Sequence, residues 1–242
     1  MTDTLTAALE KSTMPREAKN VLDVVQRAHP RLVKLLGSEQ AAERFVVETR
    51  SYLYANPKLY EADPNSVASG ALWCAQLGLT LGPLGLFYLV PFKGLAVPMV
   101  GYKGYCQLAY RSGQVKSIAA RLVYASEKDG FRELGGSTPR LVHEINHDRG
   151  EDEAIVNAYA TAALKTGGTV WTVIGEREWE RARKASALGA KNQGLWAEHR
   201  PEAIRKTAIR RLAESGSLPL GGALDDAFDH DETPAELEDV SE

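Results

Sequence analysis

Cysteine is scarce in this chain. Its two thiols, Cys74 and Cys106, both fall in apolar, helix-like contexts with no C-x-x-C around either. That pattern encodes neither a disulfide framework nor a thiolate metal site, and both residues read as reduced core positions. No stretch reaches the ~18 uninterrupted apolar residues of a membrane span. The N-terminus, MTDTLTAALEKSTMPREAKN, lacks the cationic start and apolar run of a secretory signal. A soluble, cytoplasmic protein is therefore expected. A phosphate loop is missing too: the glycine-rich LGLTLGPLGL has no G-x-x-x-x-G-K-[ST] spacing and no lysine where a helix would begin. This argues against nucleotide hydrolysis. No internal repeat is present.

What the chain does have is charge of opposite sign in different places. From Ala223 to Glu242 there are nine acids (Asp225, Asp226, Asp229, Asp231, Glu232, Glu236, Glu238, Asp239 and Glu242) and no Lys or Arg. The formal charge of −3 counts 32 acids against 29 bases; without the tail, 23 acids against 29 bases leave +6 for residues 1–222. The body is cationic and suits a polyanion. The tail, dense in like charge and poor in apolar residues, reads as a disordered solubilising extension. A tail that shields a binding groove or docks a partner is the functional alternative.

The pattern of elements is mixed. Helices are expected over Val21–Leu36 and over Glu39–Ala55, the second with Ser38 as N-cap and an apolar face of Phe45, Val46, Thr49 and Leu53. Asn56-Pro57 ends it, and Asp63-Pro64-Asn65-Ser66 opens a further helix through Val67, Ala71, Cys74 and Leu77. Strands are expected at Val115–Tyr124, Phe131–Leu134 and Arg140–Ile145. Ala158–Lys165 is expected to pair with Thr169–Ile174 across Thr166-Gly167-Gly168. Glu176–Leu188 reads as a helix with Trp179 on its apolar side, residues 189–194 as a loop, and Pro201–Glu214 as the last helix. The domain expectation is a helical N-terminal region (1–65), a core (66–222) and the acidic tail (223–242).

The richest stretch is LFYLVPFKGLAVPMVGYKGYCQLAYRSG, from Leu86 to Gly113. Tyr88–Pro91 and Leu95–Val100 read as a hairpin with Lys93 near its tip, and Pro91 and Pro98 place it at a sheet edge or a bulge. A helix from Tyr102 would carry Lys103, Gln107 and Arg111 at i, i+4 and i+8 on one face, with Tyr102, Tyr105, Cys106, Leu108 and Ala109 on the other. Lys and Arg bind phosphate oxygens while Gln reaches sugar or base edges, so the stripe suits a polyanion backbone. A solvated helix face has the same spacing. On the last helix, Ala208, Ile209 and Leu212 share an arc with Ile204, and Lys206 and Arg210 lie opposite. Arg211 borders that cationic side, whereas Arg205 falls inside the apolar arc and is expected to snorkel or pair with an acid. Trp196, just upstream, can stack a base or plug the core.

A rival reading rests on His143-Glu144-Ile145-Asn146-His147, a literal H-E-x-x-H. On a helix this would bind zinc and make a metallopeptidase. Here it follows a strand-like run and enters a turn cluster, and no third ligand is near. A passive single-strand-binding scaffold is the other alternative.

Taken together, LGLTLGPLG, the YLVPFKG hairpin, GYKGY with Arg-Ser-Gly, the strand with Arg121-Leu122-Val123-Tyr124 and then Asp129-Gly130-Phe131, the strand ending at His143, ATAALKTGGTVWTV, and Trp196 ahead of RKTAIRRL resemble the RecT family of phage and prophage single-strand DNA annealing proteins. The likeness runs from about Ser66 to Pro219. It implies an α+β fold, a small antiparallel hairpin-built sheet packed with helices, and protomers assembled side by side as rings or helical filaments. It implies annealing without ATP turnover and without a required cofactor, Mg2+ at most modulating DNA binding. The partners it implies are single-stranded DNA, the annealed duplex intermediate, a phage exonuclease and the host single-strand-binding protein. Candidate DNA-binding residues are Lys93, Lys103, Gln107, Arg111, Trp196, Lys206, Arg210 and Arg211. No catalytic or metal-ligating residue is assigned.

Overall fold

Proline and short polar caps punctuate the N-terminal helices. The computed structural model describes residues 16–150, 152–191 and 195–219, and they divide into two compact units between Gly104 and Tyr105. In the first unit α1 (Arg16–Arg27) and α2 (His29–Leu36) replace the single helix expected over 21–36. Pro30 in the first turn of α2 explains the break, because its ring cannot continue a preceding helix but suits a new helix start. α3 (Glu39–Ala55) has the expected bounds, and the Ser38 hydroxyl accepts from the Ala41 N–H at 3.2 Å. After a 3-10 turn (Pro57–Glu61), the Asp63 carboxylate caps α4 (Pro64–Gln76) by accepting from the Ser66 N–H at 3.0 Å. The expected inward residues Phe45, Val46, Thr49, Leu53, Val67, Ala71, Cys74 and Leu77 are all buried.

β1 (Phe87–Phe92) and β2 (Leu95–Val100) form a two-stranded antiparallel sheet. Lys93 and Gly94 make the tip, both with positive φ (46° and 77°), as a two-residue loop of the type I′ class requires. Neighbouring helices occupy both outer edges. The Tyr52 hydroxyl accepts from the Leu89 N–H (3.1 Å) and donates to the Leu89 carbonyl (3.3 Å), while the Ser66 hydroxyl accepts from the Ala96 N–H (2.8 Å). Because Leu89 points its backbone outward, its partner Pro98 owes no ladder hydrogen bond, which is how an apolar hairpin tolerates proline.

In the second unit β3 (Val115–Tyr124), β6 (Ile155–Leu164) and β7 (Thr169–Gly175) form an antiparallel sheet in the order β3-β6-β7. On one face Ala158, Ala160 and Ala162 are small and fully buried. They let α9 (Arg200–Glu214) approach with Ile204, Ala208 and Leu212. The opposite face carries Tyr159, whose ring stacks on Phe131 (centroids 5.6 Å, 22°) at the start of a separate hairpin, β4 (Phe131–Leu134) and β5 (Arg140–His143).

Several expected bounds shift, among them the start of β6, which lies at Ile155 rather than Ala158. β5 ends at His143 rather than Ile145, because the Asn146 side chain opens a turn by accepting from the Asp148 N–H. The helix expected to Leu188 is α6 (Glu176–Ala185), stopped where Ser186 turns extended (φ −80°, ψ 130°), and α7 (Ala187–Ala190) takes up part of the expected loop. Residues 192–194 of that loop and the acidic tail lie outside the described residues. α8 (Leu195–Glu198) leads into α9. The fold is α+β, with antiparallel pairing among the described residues spread over three small sheets.

Candidate nucleic-acid interface

Two glycines decide where the GYKGY helix sits. A Cβ on Gly101 would lie 2.2 Å from the Gly85 carbonyl oxygen, and one on Gly104 2.2 Å from that of Leu86. Only glycine allows so close an approach to backbone. α5 (Tyr102–Arg111) is thereby held with Lys103 and Arg111 exposed and Gln107 half-buried, at the spacing expected for one stripe. Tyr105, at 0% exposure, packs inward, and Tyr102 is half-buried. Lys93 is exposed at the hairpin tip, its Nζ 5.6 Å from the centre of the Phe92 ring.

On α9 the apolar arc is as read: Ile204, Ala208, Ile209 and Leu212 are buried, and Lys206 and Arg210 are half-buried. Arg210 and Arg211 converge on one carboxylate. Nε of Arg210 lies 2.6 Å from Glu214 Oε1, and Nη1 of Arg211 lies 3.2 Å from Oε2. Part of their charge is thus answered within the helix. Trp196 is half-buried, its Cδ1 2.7 Å from where a Cβ on Gly189 would stand.

Sequence reasoning missed a third basic group. At the free edge of β3 lies a cleft of about 330 Å³ lined by Arg121, Arg149 and Arg205. The Arg149 guanidinium sits 4.0 Å from the centre of the Tyr124 ring, and Arg205 reaches Glu202 at 3.6 Å with both side chains about 40% exposed. Strand alternation places Arg121 and Tyr124 on opposite faces, but a register shift at Val123/Tyr124 breaks the alternation. Arg149 follows a turn 25 residues beyond Tyr124. No periodicity connects these residues; the only local hint was an arginine amid turn formers.

Part of the cleft wall is a buried polar cluster that includes Glu127 and His143. Glu127, 3% exposed, accepts from the backbone N–H groups of Tyr124 (2.9 Å) and Asn146 (3.0 Å) and contacts His143 Nε2 at 3.2 Å. Burial raises its pKa, but these hydrogen bonds and the His143 ring outweigh burial and hold the carboxyl below its ordinary value. An ionised carboxylate can only accept, so the Nε2–H of His143 donates. In the neutral ring Nδ1 then accepts from the Tyr159 hydroxyl at 3.0 Å. Burial raises the Tyr159 pKa, in keeping with a phenol that retains its proton.

This cluster answers the H-E-x-x-H pattern. His143 ends a strand with both ring nitrogens engaged, Glu144 faces Arg132 at 3.7 Å, and His147 is exposed in a turn. The two histidines are not helix neighbours, and the described residues contain no group of three or more His, Cys, Asp or Glu able to hold a metal ion. Cys74 and Cys106 carry free thiols. Burial pushes both pKa values up, that of Cys106 to about 11. No described helix is long and apolar enough to cross a membrane.

Comparison with known proteins finds relatives over most of the chain. Over 210 residues the chain is 35% identical to Protein RecT of Escherichia coli (strain K12), a match spanning 83% of this chain and 75% of that protein. Over 166 residues it is 31% identical to the uncharacterized protein YqaK of Bacillus subtilis (strain 168), spanning 67% of this chain and 56% of the relative. The profile of the RecT family matches residues 43–242, which takes in the glycine-seated α5, the β3 edge and α9. The chain belongs to the RecT family, a family of recombination and annealing proteins.

Proposed function

We propose that this protein binds single-stranded DNA and anneals complementary strands without ATP turnover, acting as an oligomer in phage-type homologous recombination. The carrying observation is the family match over residues 43–242, within which α5 exposes Lys103 and Arg111 on one side. Those two cations, with Gln107 between them, hold phosphates and sugar edges of one strand. Lys206, Arg210, Arg211 and Lys93 add further positive charge, and Trp196 offers a ring for stacking. The bases stay exposed, and pairing with the second strand supplies the drive. A soluble protein acting in the cytoplasm of a bacterial host fits this reading. So does assembly into rings or helical filaments, as does work beside a phage exonuclease and the host single-strand-binding protein. Mg2+ modulates DNA binding without being required.

The test mixes two complementary dye-labelled oligonucleotides with the protein over a salt series, with EDTA and without nucleotide. Faster duplex formation that fades with salt is expected. Binding without acceleration would replace annealing by a passive coat. The Lys103→Ala/Arg111→Ala double variant should lower the slope of log affinity against log salt by about 1.4, roughly 0.7 for each phosphate no longer neutralised. An unchanged slope would make the stripe a solvated face.

A further inference from the structure

We propose that the cleft at the free edge of β3 is a phosphodiester-binding site, with Arg121, Arg149 and Arg205 gripping the backbone of bound single-stranded DNA separately from the α5 stripe. This rests on the single-strand-binding reading above and assigns it a second contact point.

Three guanidinium groups lining a cleft of about 330 Å³ repel one another unless an anion joins them. The carboxylate that borders the cleft, Glu127, does not do so. It is buried and committed to two backbone N–H groups and to His143. Among the described residues neither Arg121 nor Arg149 makes an ion pair. Arg205 has only Glu202, at 3.6 Å between two partly exposed side chains, and such a pair in solvent yields easily to a better acceptor.

The geometry of Arg149 points to the chemical class of ligand. Its guanidinium carbon lies over the Tyr124 ring, 4.0 Å from the ring centre, so the aromatic face holds the group in place. A contact with a ring face spends no N–H donor, and among the described residues Arg149 makes no hydrogen bond or ion pair. The fork of N–H donors matches two oxygens of a phosphate. Arg121 reaches the cleft from β3 and Arg205 from α9, so donors enter from a turn, a strand and a helix. Because Arg149 already covers Tyr124, the cleft reads backbone rather than stacking a base, as sequence-independent binding requires.

The test measures fluorescence anisotropy of a dye-labelled oligothymidylate with the full chain, over a salt series, for the wild type and for Arg149→Ala, Arg121→Ala, Arg149→Lys and Lys116→Ala. Lys116 is exposed on the same strand outside the cleft and controls for bulk charge. Arg149→Ala should bind roughly tenfold more weakly at low salt, with its salt slope reduced by about 0.7. Arg149→Lys should keep the slope but lose affinity, since a point charge replaces the fork. Arg149 sits on an exposed segment, so its variants should melt with the wild type even if Arg121→Ala does not fold. Wild-type slope and affinity in Arg149→Ala would overturn the proposal, as would an equal loss in Lys116→Ala. A changed oligomeric state in ultracentrifugation with unchanged DNA slope would also overturn it, making the cleft a contact between copies of the chain. If the wild type itself binds no oligonucleotide, the annealing reading falls first, and that outcome differs from a cleft failure on a binding-competent protein.

Discussion

Two of the sheets, the β1–β2 hairpin and the one that ends in β3, have edges treated in opposite ways. In the first hairpin, Tyr52 and Ser66 occupy the outward backbone of Leu89 and Ala96, and α5 is seated on carbonyls that only glycine can approach. On β3 the Ile118 N–H is met by the Tyr110 hydroxyl, but residues 119–122 border a cleft rimmed with arginine. An exposed edge is a liability that proteins cover or put to use. The hairpin is capped along its outward backbone, and the Gly85 and Leu86 carbonyls beside it are met by Gly101 and Gly104. The β3 edge is left open where guanidinium groups can meet a ligand. Stability should therefore be sensitive to substitution in the first region, and binding in the second.

The comparison breaks most sharply at Gly104. Gly104→Val puts carbon against the Leu86 carbonyl, and thermal unfolding should show a loss above about 3 kcal/mol; wild-type melting would mean the close approach is not real. Removing the carboxylate that organises the region behind β3, by Glu127→Ala, should cost about 2–3 kcal/mol, because two backbone donors lose their acceptor. The same group sets a pH dependence. Its folded pKa lies below the ordinary 4.5, so its contribution is present above that value and is lost as pH falls through the folded pKa. Urea midpoints measured from neutral pH into the acid range should fall for the wild type and fall less for Glu127→Gln. Tyr52→Phe, which leaves the Leu89 backbone unanswered, should cost about 1–2 kcal/mol by denaturant titration. Arg149→Ala should stay within about 0.5 kcal/mol of the wild type while losing DNA affinity. The smallest effect is on thiol chemistry: with Cys106 pushed to about 11, native protein near neutral pH should alkylate far more slowly than the urea-unfolded chain.

Legibility from sequence followed the range of the forces involved. Ser38, Asp63, the Lys93-Gly94 tip and the burial of α3 were readable because caps, turns and helix periodicity act over a few residues. The break at Ala28 was readable too, from Pro30, but apolar spacing across it suggested one helix. Of the α9 cations, Lys206 and Arg210 are half-buried, while Arg205, read into the apolar arc, keeps its side chain 40% exposed against 29% for Arg210, and the capture of Arg210 and Arg211 by Glu214 depends on rotamers that a wheel does not describe. The H-E-x-x-H pattern was discounted from sequence on local grounds, the strand-like run before it and the turn cluster after it, and both are present in the structure. It specifies residue identities, while the chemistry requires a helix that a strand and a turn do not supply.

The sequence by itself determined the α+β class, the cationic body and acidic tail, the hairpin with its tip, the stripe on α5 and the family, because each is written in local spacing or in ordered motifs. Only the tertiary structure decided that Gly101 and Gly104 are seats for backbone, that His143 belongs to Glu127 and Tyr159, and that Arg121, Arg149 and Arg205 share one cleft. Those relations join residues that local spacing does not connect, and the last of them exists only once burial of the alanine face of β6 under α9 has brought strand, turn and helix together.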